Sequence, residues 1–113
     1  QTHMKEKKNT TRQKCYNSGK IGGLSYIVAY GNFQKADEEI KAMGLVPVNP
    51  MIQGLKPSAP YWAHMITDIL LLARCRHIYL QRNWQDCRGA RIEYKVAKFL
   101  RIQVWYQENP GCE

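Results

Sequence analysis

The chain has no apolar run approaching the roughly 18 residues that a membrane span needs, and no leader of the secretory kind. Its four cysteines, Cys15, Cys75, Cys87 and Cys112, form no CxxC pair and stand at no zinc-ligand spacing to a histidine. That argues against a metal-held or disulfide-stapled fold and for free thiols in a reducing cytoplasm. Neither GxxxxGK[ST] nor GxGxxG occurs, so an ATP-cradling loop and a dinucleotide fingerprint are both unsupported. Acidic residues are few, 9 against 17 Lys and Arg, which leaves a net charge of +8. Half of that surplus sits in the first 14 residues, where Lys5, Lys7, Lys8, Arg12 and Lys14 face only Glu6. Basic lead-ins of this kind more commonly serve solubility, and the aromatics stand at core spacings rather than between arginines, so nucleic acid is set aside as the main partner.

What is present is enough for one domain with a core that needs no staple, at 113 residues. Gln1–Met4 reads as an expression remnant, and residues 1–13 together as a polar, charged lead-in without period. Residues 14–106 form the single domain and residues 107–113 an irregular tail. Lys14–Asn17 is a short strand candidate, weakened by Asn17. Ser18-Gly19-Lys20-Ile21-Gly22-Gly23 is a glycine-rich turn. It is either an ordinary strand-to-helix connection or a place where backbone N–H groups approach a phosphate or sugar. Ser25 caps a helix to about Met43, with Tyr26, Ala29, Tyr30, Phe33, Ala36, Ile40 and Met43 at helical spacing and Gly44 ending it. Leu45–Val48 is a strand whose Pro47 suits a sheet edge. A loop over residues 51–60 leads to a second helix, from about Pro60 to Cys75, expected to bury Trp62, Met65, Ile66, Ile69, Leu70, Leu72 and Ala73. Asp68 falls at the rim of that stripe, either paired with His64 one turn back or held as a second carboxylate at the mouth of a pocket. A strand over residues 77–81, a helix to about Leu100 and a strand over residues 102–106 complete the chain.

Strand and helix alternate, which predicts an α/β domain, Rossmann-like or flavodoxin-like, with three layers and a mostly parallel four-stranded sheet. With Pro47 at an edge the order is 2-1-3-4, and the topological switch lies between the first and third strands. The loops leaving those strands are the glycine turn and the stretch Asn83-Trp84-Gln85-Asp86-Cys87-Arg88-Gly89 that opens the last helix. On a helical wheel Gly89, Ile92, Val96, Phe99 and Leu100 share one arc, and Arg88, Arg91, Lys95 and Lys98 the other. Glu93 falls on the apolar side with only Gly89, Ala90, Val96 and Ala97 three and four residues away. No cation on its own helix can pair with it. An inward carboxylate of this kind is either a hydrogen-bonded structural group or one kept for chemistry.

The pattern Tyr16-x-x-Gly19-x-Ile21-x-Gly23, then Asn49-Pro50, then Asp68, then Cys87-x-Gly89-x-x-x-Glu93, resembles the nucleoside 2-deoxyribosyltransferase-like superfamily. That superfamily includes the deoxynucleoside 5′-monophosphate N-glycosidases, and the chain is most similar to its small bacterial and phage branch, a domain of unknown function. The resemblance runs from about Lys14 to Tyr106; Arg88-Gly89-Ala90-x-x-Glu93 is its most specific part. It implies chemistry at an N-glycosidic bond, with Glu93 as the nucleophile that forms a covalent glycosyl-enzyme. It implies Tyr16 as the group that orients Glu93, and Asp68 as the acid that handles the leaving base. The glycine turn (Ser18, Gly19, Lys20, Ile21, Gly22, Gly23) and the helix start (Asn83, Asp86, Cys87, Arg88, Gly89) would then hold the substrate, a 5′-phosphate falling at Cys87–Gly89. Two departures bear on the substrate. Cys87 replaces the family's serine and is a poorer donor, and Gly22 stands where monophosphate-cleaving relatives have an arginine, leaving Lys20 and Arg88 to take its place. A homodimer or larger homo-oligomer is implied by the resemblance as well.

Three functions follow. The leading one is a nucleoside or nucleotide N-glycosidase or deoxyribosyltransferase-like enzyme that uses no metal or cofactor. A binding module that senses a nucleotide in the same crevice without cleaving it is the second, and nucleic-acid binding through the Lys5–Lys14 segment is the third.

Overall fold

A computed structural model describes residues 12–108; the expression remnant, most of the lead-in and the end of the tail fall outside that range. Strand β1 (Lys14–Ser18) leads through the glycine turn to helix α1 (Tyr26–Ala42), then to β2 (Val46–Val48) and a single turn of helix, α2 (Pro50–Gln53). Helix α3 (Tyr61–Ala73) follows, then β3 (His77–Leu80), a 3₁₀ turn (Trp84–Asp86), helix α4 (Arg88–Phe99) and β4 (Gln103–Tyr106). All strand pairs are parallel and the sheet order is β2-β1-β3-β4. The Rossmann-like α/β architecture and strand order expected from the alternation are the ones observed, with Pro47 on an edge strand as its missing N–H requires.

Side chains alternate across β1, and the alternation divides the molecule. Tyr16 turns toward α3 and α4, joining a core of Val48, Leu72, Cys75, Ile78, Leu80, Ala97 and Ile102. Cys15 turns toward α1 and joins Ala36, Ile40 and Tyr79. Asn17, on the α1 side, has a role the sequence did not reveal. Its amide nitrogen donates to the Phe33 carbonyl at 3.0 Å and to Asp37 Oδ1 at 2.8 Å. Its oxygen accepts from Gln81 Nε2 at 2.7 Å. Asn49 Nδ2 closes the network on the other Asp37 oxygen at 2.9 Å. A strand asparagine is tolerated here because every polar atom around it is satisfied.

Several expectations need correction. The segment after β2 is not all loop: Asn49 accepts from Met51 N at 2.9 Å and Pro50 sits at the first helical position, so α2 forms. The last helix starts at Arg88, within the Asn83–Gly89 stretch, and the earlier part of that stretch is a separate 3₁₀ turn. Its buried positions are Ala90, Glu93 and Ala97, while Phe99 is exposed and Leu100 is 44% exposed. Small alanines allow α4 to lie close on the sheet, and that turns Phe99 outward. On α3, Trp62, Ile66 and Leu70 are exposed by 66, 54 and 57%, and Ala73 is exposed as well. This helix is apolar over more of its circumference than the sheet covers, so the i, i+4, i+8 edge of the stripe faces outward. Tyr26, Tyr30 and Met43 of α1 are exposed for the same reason.

Candidate active site

Glu93 is 6% exposed and sits on the face of α4 that meets β1. Period-two alternation puts Tyr16 and Ser18, two residues apart, on the same side of that strand. The Tyr16 hydroxyl donates to Glu93 Oε2 at 2.9 Å, and Ser18 Oγ donates to Oε1 at 2.7 Å. Each carboxylate oxygen therefore has one hydroxyl, and no lysine or arginine takes part. The open side of Glu93 faces a cavity of about 730 Å³ at the carboxyl ends of the strands. That lies within the ~300–1,000 Å³ usual for small-molecule sites.

The cavity has a mouth on the helix starts. Gly19, Ile21 and Gly22 of the glycine turn line it, and so do Asp86, Cys87, Arg88 and Gly89 ahead of and at the start of α4. Cys87 occupies the N-cap of α4 without a side-chain cap bond, so its side chain leaves the first-turn N–H groups unsatisfied beside the cavity that Cys87–Ala90 line. A β-carbon on Gly89 would meet Met65 Sδ at 3.4 Å, an ordinary contact. A β-carbon on Gly19 would lie on the carboxamide of Gln81, so only glycine passes at this point. Gly23, at φ +87°, makes the turn into α1.

Asp68 lines the cavity from α3 and accepts no hydrogen bond from any described side chain or N–H. Burial pushes it up to about 6, against the pull of nearby His64. Glu93 is pushed up to about 8, first by burial, with Asp68 adding to the rise and the Ser18 and Tyr16 hydrogen bonds opposing it. Burial, and then the Glu93 charge, hold Tyr16 well above the ordinary phenol range, so it remains a donor. The two carboxyl groups thus sense each other and differ in what solvates them.

Four of the expected binding residues, Ser18, Lys20, Gly23 and Asn83, do not line the cavity; Ser18 is bonded to Glu93 instead. Lys20 offers its backbone N–H to Asn83 Oδ1 at 3.0 Å, a link that ties the glycine turn to the β3 loop. Asn83 itself lines a second, polar cavity of about 310 Å³ beside Lys35, Gln81 and Arg82, and Gly23 lies outside both. The apolar wall was not anticipated. Tyr61, His64 and Met65 reach the cavity from the Asp68 face of α3, with Tyr26 from α1 and Met51 and Leu55 around α2. The spacing of Tyr61, His64, Met65 and Asp68 at i, i+3, i+4 and i+7 was the signal available for the α3 part. Among the described residues no group of three or more His, Cys, Asp or Glu side chains is arranged to hold a metal ion.

A family described as "Domain of unknown function (DUF4406)" matches residues 13–106. The chain belongs to that family. No curated protein matches this DUF4406 chain. Among solved structures it is similar to a 2-desoxiribosyltransferase from Leishmania mexicana, with a TM-score of 0.61 over 83% of the chain at 16% identity. The chain spans 63% of the length of that protein. The DUF4406 domain therefore has a deoxyribosyltransferase-like α/β fold, in agreement with the resemblance of its motifs.

Proposed function

We propose that this chain acts at the N-glycosidic bond of a nucleoside or nucleotide, as an N-glycosidase or 2-deoxyribosyltransferase-like enzyme. The observation that carries the proposal is the Glu93 carboxylate, buried, held by two hydroxyl donors and open on one side to a cavity of nucleoside size. The motif resemblance and the fold support it.

Glu93 and Asp68 share the work. When the pair holds a single proton it starts on Glu93, the group pushed higher (about 8 against about 6), and it passes to Asp68 before attack; the two hydroxyls that donate to Glu93 then hold the charge left there. The Glu93 carboxylate attacks the anomeric carbon. The bond to the base nitrogen breaks, its electron pair leaves with the base, and the Asp68 proton neutralises it. Water or a second base, giving its proton to the now ionised Asp68, then attacks the glycosyl-glutamate from the face the first base left; the bond to Glu93 breaks, and the free sugar or a new nucleoside leaves with retention. The glycine turn approaches the sugar through its backbone, and the uncapped start of α4 with Arg88 receives a 5′-phosphate. Tyr26, Tyr61 and Met65 supply the apolar surface against which a base lies.

The protein works in the cytoplasm in this proposal, where Cys15, Cys75 and Cys87 stay reduced. No helix among the described residues is long and apolar enough to cross a membrane. It assembles as a homodimer or larger oligomer through the outward edge of α3, where Trp62, Ile66 and Leu70 form an apolar stripe. Trp62→Glu is expected to lower the mass measured by light scattering from that of the oligomer to that of the monomer.

The decisive experiment incubates the protein with a panel of nucleosides and deoxynucleoside monophosphates and follows free base by chromatography. Release that disappears in Glu93→Gln, with the intact mass of the wild type raised by one glycosyl group during turnover, is the expected result. Thermal stabilisation by a nucleotide with no base released would overturn the enzymatic reading in favour of a sensor.

A further inference from the structure

Four cations run along the outer face of α4. Arg88, Arg91, Lys95 and Lys98 recur at steps of three and four, which confines them to an arc roughly 80° wide, and all four are exposed. Among the described residues no carboxylate pairs with them. The one acid of the helix, Glu93, is buried on the opposite side, and the one ion pair among the described residues joins Lys41 to Glu38 on α1. Arg101 extends the series just past the helix end. Phe99 stands just beyond the edge of that arc, about 20° past Arg88, and is 84% exposed, more than any other large apolar side chain among the described residues.

The ring decides which polyanion fits. An acidic peptide would satisfy the cations and leave Phe99 in water. A membrane surface requires an apolar face broader than one ring beside the charges. A duplex keeps its bases stacked on each other and offers the ring nothing. An unpaired strand has phosphates for the cations and an exposed base face for the phenyl ring, the combination that single-strand-binding proteins use.

We propose that the outer face of α4 is a docking track for single-stranded nucleic acid. Arg91, Lys95 and Lys98 neutralise its phosphates, and Phe99 stacks against one of its bases. The track ends at Arg88, which also lines the main cavity, so a strand lying on α4 runs toward Glu93. Docking stands independently of the nucleoside chemistry; presenting a nucleotide of that strand to Glu93 rests on it.

The test is fluorescence anisotropy of a labelled oligothymidine of about 12 nucleotides with the full chain, between roughly 50 and 200 mM salt. Replacing Arg91, Lys95 and Lys98 together by Gln should weaken binding at least tenfold. It should also flatten the plot of log affinity against log salt by about 2, at ~0.7 per lost phosphate contact. Phe99→Ala should weaken binding roughly tenfold and leave that slope unchanged, because stacking releases no counterion. All four positions face solvent, and matching circular dichroism and melting confirm that the variants fold. Wild-type affinity and slope in the triple variant would overturn the proposal and move binding to the Lys5–Lys14 segment. Equal or tighter binding of duplex DNA, or equal competition by polyglutamate, would overturn it too. The readout is strand binding, so a protein that binds strands but releases no base, or the reverse, separates this proposal from the enzymatic one.

Discussion

Two helical carboxylates are buried against opposite faces of the same strand, and they are held differently. Asp37, on α1, accepts from the amides of Asn17 and Asn49. Glu93, on α4, accepts from the hydroxyls of Tyr16 and Ser18. An amide nitrogen can only donate, so the Asp37 cage has one arrangement and fixes structure. A serine hydroxyl can turn to donate or accept, so the Glu93 cage survives gain and loss of a proton. Asp37 is hemmed in by side chains that link β1, β2 and β3 to α1, whereas Glu93 opens to the cavity. The comparison separates a carboxylate used as a fastener from one suited to reaction.

Substitution at the two positions should give opposite outcomes. Glu93→Gln is expected to lower base release by at least about a thousandfold, since a neutral amide cannot form the glycosyl ester, and to leave a cooperative melt. Asp37→Ala should do the reverse. Two buried amides lose their acceptor, at about 1–3 kcal/mol each, so urea unfolding shifts to much lower midpoint while activity per folded molecule changes little. Equal loss of stability in both variants would break the distinction.

The next effect is in pH. The folded Glu93 carboxyl, near 8, lies above its unfolded value near 4.5. The folded state therefore holds a proton that the unfolded state has released across that window. The resulting stabilisation is complete below about 4.5 and is lost as pH rises through about 8. The melting temperature of the wild type should fall between those limits, and Glu93→Gln should remove most of the fall, ending above the wild type at pH 9. A smaller consequence concerns the hydroxyl: Tyr16→Phe removes one of the two donors to Glu93, and kcat should drop roughly 10- to 100-fold, with the melt nearly unchanged. Smallest is a change remote from both carboxylates. Arg101 ends α4 at φ +62°, a conformation suited to glycine, and Arg101→Gly should raise stability by about 0.5–1 kcal/mol in urea titrations. That variant serves as the control that stability can move without touching either cage.

Much of this was legible before folding. The alternation of strands and helices, with Pro47 at an edge, is enough for the sheet order, because short right-handed crossovers leave few alternatives. The inward turn of Glu93 follows from its place on the wheel and from the absence of a cation one turn away. The Asp37 cage was not legible, since positions 17, 37, 49 and 81 share no period and meet only through the tertiary fold. Nor were the exposures of Phe99, Trp62, Ile66 and Leu70. A wheel treats every apolar residue as seeking the same core, whereas the sheet here covers only part of α3 and sits on the alanines of α4. The wall of the cavity was missed for a related reason: Met51 and Leu55 come from a connection with too few residues to display a pattern.

Gly19 shows how closely the two cages are joined. The space a methyl group would need there is occupied by Gln81, whose amide nitrogen in turn bonds Asn17, the partner of Asp37. The turn at the mouth of the cavity consequently cannot be reshaped on its own: enlarging residue 19 demands that residue 81 retract, and the far side of the sheet must then find a new donor. Altering ligand preference through this corner calls for paired exchanges across the sheet, and a survey of single replacements at Gly19 would return damaged proteins rather than redirected ones.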